Sequence, residues 1–162
     1  MKHNLIPFPA SVVPSTGNFV VSSTTEISIE PAVELEVLGN YLVEQIGEAT
    51  GIRNIINSAT DEKKDGSIRI ALDGDTELGE EGYELSIASD GIKLSAGHAA
   101  GLFYGIQTLR QLLPTHPTQN VSLAAVSIRD TPRFRWRGAM LDVARHFFGL
   151  EDVKRYIDLI SH

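Results

Sequence analysis

The feature that most limits what this chain can fold into is a change of character at Asp130-Thr131-Pro132, with only a short stretch beyond it. Residues 1–128 carry 7 Lys and Arg against 16 Asp and Glu, whereas residues 129–162 carry 7 against 5. A reversal of sign at one point marks a boundary between two units. The whole chain, 162 residues, suffices for one well-packed domain and is short for two. One complete domain is therefore expected over residues 1–130, and the beginning of another over 133–162.

Within the first unit the pattern reads as α+β. Pro7, Pro9 and Pro14 rule out an early helix, because each biases its predecessor toward extended geometry. Phe19-Val20-Val21 and Glu26–Ile29 read as short strands. Leu35, Leu38, Leu42 and Ile46 recur at three- and four-residue steps, predicting an amphipathic helix over 32–49 that Pro31 opens and Gly51 stops. Strands are expected at 52–57, 67–72, 82–88 and 92–95, with Asp61–Gly66 as a solvated turn. Ser89-Asp90-Gly91 predicts a tight hairpin in which Asp-Gly supplies positive φ. A second helix runs through Leu102, Phe103, Ile106, Leu109, Leu112 and Leu113 until Pro114. Gly97, Ala99, Ala100, Gly101 and Gly105 crowd its start. Glycine costs about 1 kcal/mol each in helix propensity, so close packing on a sheet is the expected compensation. Val121–Arg129 reads as a last strand. The sum is a sheet of mixed or antiparallel strands with two helices packed on it.

Beyond residue 133 the apolar run Ala139–Val143 fits a strand buried on both faces, and Val153, Tyr156, Ile157 and Ile160 are spaced for a helix over 151–162. That is a single βα unit. Ordering some thirty residues costs on the order of 45 kcal/mol in conformational entropy, at about 1.5 kcal/mol each. One strand and one helix cannot recover this alone. The segment must dock on the first unit, stay unordered, or pair with a second copy through residues 139–148.

Composition narrows the function. A net charge of −7 argues against nucleic-acid binding. No apolar run is long enough to span a bilayer, and no membrane partner is expected. Without cysteine there is no disulfide, thiolate metal site or cysteine nucleophile. His3, His98, His116 and His162 are scattered, so no metal is expected. Gly97–Gly105 lacks the Lys-Ser/Thr ending of a phosphate loop, and no cofactor is expected. No apolar signal core precedes Pro7, so the compartment reads as cytoplasmic, a reading that a removed leader would overturn.

Trp136-Arg137-Gly138, then Met140-Leu141-Asp142-Val143-Ala144-Arg145-His146-Phe147, then Val153-Lys154-Arg155-Tyr156-Ile157-Asp158 resemble the first barrel strand and helix of family 20 glycoside hydrolases, the β-N-acetylhexosaminidases. Gly101–Leu112, reading GLFYGIQTLRQL, resembles the second helix of that family's non-catalytic N-terminal domain. The resemblance implies the hexosaminidase N-terminal-domain fold followed by one βα unit of an incomplete (β/α)8 barrel, a fold that needs about 250 residues when complete. It implies a parent enzyme that removes terminal β-linked N-acetylglucosamine or N-acetylgalactosamine by substrate-assisted retention. The substrate's own acetamido oxygen is then the nucleophile, a Glu the general acid and a neighbouring Asp the acetamido's orienting group. That Asp-Glu pair belongs to a later strand, so no catalytic residue is assigned here and the fragment is expected to be inactive.

The resemblance does imply one substrate-binding residue, Arg145, as a ligand for hydroxyls on the non-reducing side of the sugar. A guanidinium offers a planar fork of donors suited to adjacent hydroxyls, and barrel sites form at the C-terminal ends of strands. Arg137 reads as structural, paired with a carboxylate inside the barrel. Asp142 reads as a salt-bridged core carboxylate, His146 as packed beside Phe147 and Phe148, and Trp136 as interface packing rather than a sugar platform. Glu151-Asp152 favour the helix dipole. The alternative to an enzyme fragment is a non-enzymatic interaction or carbohydrate-binding module of the same fold.

Overall fold

A computed structural model describes residues 4–52, 55–58, 65–73, 75–118 and 120–161. The chain divides into two compact units, Met1–Thr131 and Pro132–His162.

Among the described residues the first unit holds seven strands, two α-helices and one 3-10 turn (Thr76–Leu78): β1 (Ser11–Val21), β2 (Glu26–Ile29), α1 (Val33–Thr50), β3 (Ile55–Ser58), β4 (Ser67–Ala71), β5 (Tyr83–Ala88), β6 (Gly91–Ala96), α2 (Ala99–Leu112) and β7 (Val121–Asp130). The strands form one sheet in the order β1-β7-β5-β6-β4-β2-β3. Its two halves differ. The β1, β7, β5 and β6 neighbours run antiparallel, while β6, β4, β2 and β3 run parallel. Helix α1 makes the crossover from β2 to its parallel neighbour β3, as a parallel pair requires. Helix α2 carries the chain from β6 over β5 to β7. Both helices pack on the sheet and on each other, giving two layers over one core.

The core comes from the faces that the patterns marked. Ile27, Ile29, Ile68, Ile70, Leu85, Ile87, Ile92 and Leu94 from the sheet meet Leu35, Leu42, Ile46, Leu102, Ile106 and Leu109 from the helices, all buried. Glycine lets α2 come close. A Cβ on Gly101 would overlap the carbonyl oxygen of Gly82, and one on Gly105 would overlap Leu94 and crowd Tyr83. The opposite sheet face is polar. Arg69 and Lys93 are directly opposite on β4 and β6, a pairing that like charges disfavour. Asp73 relieves it, 3.0 Å from Lys93 and 3.8 Å from Arg69.

Several expectations shift. The first strand is longer than Phe19–Val21 and contains Pro14. Proline is tolerated there because β1 is an edge strand and its register breaks between Pro14 and Asn18. Pro31 lies before the N-cap Ala32, outside α1, which ends on Gly51 at φ +70° as expected. The β5–β6 hairpin forms around Ser89-Asp90, with Ala88 opposite Gly91. Positive φ is not its device, since none of these residues has it. Gly91 serves sterically instead, because a Cβ there would come within 2.9 Å of the Ser67 carbonyl on β4. Of the turn expected at 61–66, only Asp65 and Gly66 are among the described residues, as are residues 52 and 55–57 of the strand expected at 52–57.

Among the described residues, the second unit contains one regular element, α3 (Leu150–Ser161). The strand expected over Ala139–Val143 does not form. A strand is held by ladder hydrogen bonds to a neighbour, and no other strand of this unit offers them among the described residues. Helix α3, whose hydrogen bonds are internal, forms without such a neighbour. No helix of the described residues is long and apolar enough to cross a membrane.

Candidate functional site

Asp142 organises the segment that joins residue 142 to α3. Its Oδ1 accepts hydrogen bonds from the backbone N–H of Ala144 at 2.9 Å and of Arg145 at 3.3 Å. This is the local side-chain-to-backbone bonding that short acidic residues favour at turns. Its Oδ2 lies 3.1 Å from Arg145 Nη1. Arg145 itself projects into solvent, its side chain 85% exposed. Four residues on, Gly149 donates its N–H to Asp152 Oδ2 at 3.1 Å, and Glu151 pairs with Lys154 at 2.9 Å. Those acidic residues stand in the first turn of α3, where negative charge suits the helix dipole.

Two readings differ from expectation. Asp142 is salt-bridged, but it is half-exposed and not a core residue. His146 is exposed and Phe147 is 93% exposed, so the expected packing is not there. Trp136 is 93% exposed. Without a strand at 139–143 there is no layer for these side chains to enter. Arg137 Nη1 donates to the carbonyl oxygen of Phe134. The role of Asp142 in closing the turn was not read from the sequence. An Asp two residues before the N–H it bonds, and three before an Arg, was the available signal.

The first unit offers little chemistry. An open cleft of about 400 Å³ beside the ends of α1 and α2 is lined by polar side chains including Gln45, Glu48, Arg110 and Gln111. Gln111 is engaged on both sides of its amide by the Ile6 backbone, at 2.9 Å each. Nothing there pairs a nucleophile with a base. Tyr83 is buried and bonded to Thr108, and burial holds its hydroxyl well above the usual tyrosine range. It is a structural group. Among the described residues no cluster of His, Asp or Glu could hold a metal ion. His98 is the N-cap residue of α2 without a side-chain cap bond. His116 lends only its carbonyl, to Thr118. His3 and His162 lie outside the described residues.

Comparison with known proteins places these two units. A family model described as glycosyl hydrolase family 20, domain 2, matches residues 2–131, and the model of that family's catalytic domain matches residues 134–162. The chain is 34% identical over 164 aligned residues to a beta-hexosaminidase of Porphyromonas gingivalis, covering 98% of this chain and 21% of that protein. Streptomyces plicatus N-acetyl-beta-hexosaminidase, solved with Thio-NAglucal, superposes with a TM-score of 0.86 at 41% identity, over 98% of this chain and 32% of that one. The Vibrio harveyi exo beta-N-acetylglucosaminidase in complex with N-acetylglucosamine does so with a TM-score of 0.79 at 30% identity, over 98% and 24%. The chain therefore spans between a fifth and a third of the length of these relatives, and it belongs to glycosyl hydrolase family 20, covering the family's domain 2 and the start of its catalytic domain.

Proposed function

We propose that this chain is the N-terminal portion of a β-N-acetylhexosaminidase that removes terminal β-linked N-acetylglucosamine or N-acetylgalactosamine by substrate-assisted retention. Residues 1–130 are the non-catalytic supporting domain, and residues 133–162 open the catalytic barrel. Arg145 is the one substrate ligand in the chain, donating to hydroxyls on the non-reducing side of the terminal sugar. The acid and the acetamido-orienting carboxylate belong to a later strand, so the chain by itself turns over nothing. The observation that carries this reading is the succession of the two family matches, 2–131 and then 134–162. The neighbours solved with Thio-NAglucal and with N-acetylglucosamine support the amino-sugar class. The solvent-facing guanidinium of Arg145 supports its role.

The test pairs two proteins. The 162-residue chain, incubated with a chromogenic N-acetylglucosaminide, should release no chromophore. A chimera of residues 1–162 joined to the remaining two thirds of the Streptomyces plicatus enzyme should hydrolyse it. Turnover by the chain alone, or a folded chimera without turnover, would overturn the reading.

A further inference from the structure

We infer that Asp142 is a positioning residue for Arg145, an inference that rests on the reading of Arg145 as a sugar ligand. The two carboxylate oxygens divide the work. Oδ1 fixes the backbone from which Arg145 projects, through Ala144 N at 2.9 Å and Arg145 N at 3.3 Å. Oδ2 holds the far end of the same side chain, 3.1 Å from Nη1. One residue thus constrains both the root and the head of a long, flexible arginine.

Stability does not explain this pair. With side chains 85% and 42% exposed, it lies in the class of surface ion pairs that contribute almost nothing to folding. Direction is the better account. A guanidinium carries five N–H donors in a rigid fork, and pairing through Nη1 leaves Nε and Nη2 for other acceptors. Two adjacent hydroxyls suit a fork whose orientation is already fixed, because ordering it is then not charged against binding.

Substitution by Asn separates the two roles of Asp142. Its amide oxygen still accepts the backbone N–H bonds, whereas its NH2 group faces the guanidinium with no charge and no acceptor. In the 162-residue chain, Asp142→Asn should leave the amide order parameters of Ala144 and Arg145 unchanged and lower the Nε–H order parameter of Arg145. An Nε–H that is equally mobile in both proteins would overturn the inference without recourse to activity.

In the chimera described above, Arg145→Ala should lower kcat/KM about a hundredfold, the scale of lost hydrogen bonds to a charged group. Asp142→Asn should raise KM about tenfold with kcat nearly unchanged, the signature of lost uniform binding. Added to Arg145→Ala, it should do nothing more, because it acts through that side chain. An equal Asp142→Asn effect with and without Arg145 would overturn the positioning role, as would no effect at all beside a large Arg145→Ala effect. An unchanged KM and kcat in Arg145→Ala would instead remove the sugar-ligand reading beneath it.

Discussion

The two units of this chain use the same kind of apolar residues and treat them in opposite ways. In the first, Ile27, Ile29, Leu42, Ile68, Ile70, Leu85, Leu94 and Leu102 are all buried between one sheet and two helices. In the second, Trp136, Met140, Phe147, Leu150 and Leu159 are exposed, and α3 has no buried residue. The difference is one of partners rather than composition. A strand or an amphipathic helix can remove its apolar face from water only against a second layer. The first unit contains both layers. Among the described residues, the second contains one helix and no strand.

The sharpest way to break this comparison is to remove one side chain from each unit. Leu94→Ala opens a cavity beneath α2, where Leu94 meets Gly105, and should destabilise the first unit by about 2–5 kcal/mol. Phe147→Ala should change stability by less than about 0.5 kcal/mol, as exposed positions do. Urea unfolding followed by far-ultraviolet circular dichroism would measure both. Fluorescence would not, because Trp136 is the chain's one tryptophan and stands in solvent. A large loss on Phe147→Ala would mean that the second unit has a core of its own.

Next in size is Gly101→Ala. The methyl would meet the Gly82 carbonyl and Ala96, neither of which can rotate aside. It should cost about 1–3 kcal/mol by overpacking, despite the better helix propensity of alanine. A rise in midpoint by the same dichroism measurement would show that α2 does not need its close approach to the sheet.

These contrasts also explain what the sequence disclosed. The periods of Leu35, Leu42 and Ile46, and of Leu102, Ile106 and Leu109, are local, and the helices they predict lie within one or two residues of α1 and α2. The crowding of Gly101 and Gly105 likewise announced a close contact, though not its partners. Gly91 was legible as a hairpin residue and misread in mechanism, because its constraint comes from Ser67 on β4, a strand distant in sequence. Ala139–Val143 has the composition of a buried strand, and composition says nothing about whether a neighbouring strand exists. Arg145 could be singled out only through a motif. Asp142 needed coordinates, since the division of its two oxygens is a matter of three-dimensional direction.

Tyr83 tests the burial of the first unit by pH. Burial, more than its neighbours, raises its pKa in the folded state. The neutral hydroxyl is therefore the folded form, and its contribution is complete below the unfolded tyrosine pKa of about 10. Above that pH the unfolded chain loses a proton that the folded chain keeps. Stability should then fall by up to about 1.4 kcal/mol per pH unit. Tyr83→Phe, which also gives up the bond to Thr108 at a cost of about 1 kcal/mol, should flatten this limb relative to the parent in urea titrations between neutral and alkaline pH. Equal slopes in the two proteins would mean that Tyr83 is not the group responsible.

The smallest effect on stability belongs to the second unit, and it sharpens the comparison most directly. If exposed side chains such as Phe147, Met140 and Val143 lack a second layer, another copy of the chain can supply one. We expect weak, concentration-dependent self-association through residues 139–148, visible as a rising weight-average mass in sedimentation equilibrium. Phe147→Ser should abolish most of it while leaving the unfolding midpoint within about 0.5 kcal/mol of the parent. A mass that stays monomeric at every concentration would mean that these residues tolerate water without a partner. Association that survives Phe147→Ser would transfer the sticky surface to the first unit, where Val33, Val37 and Phe8 are also exposed.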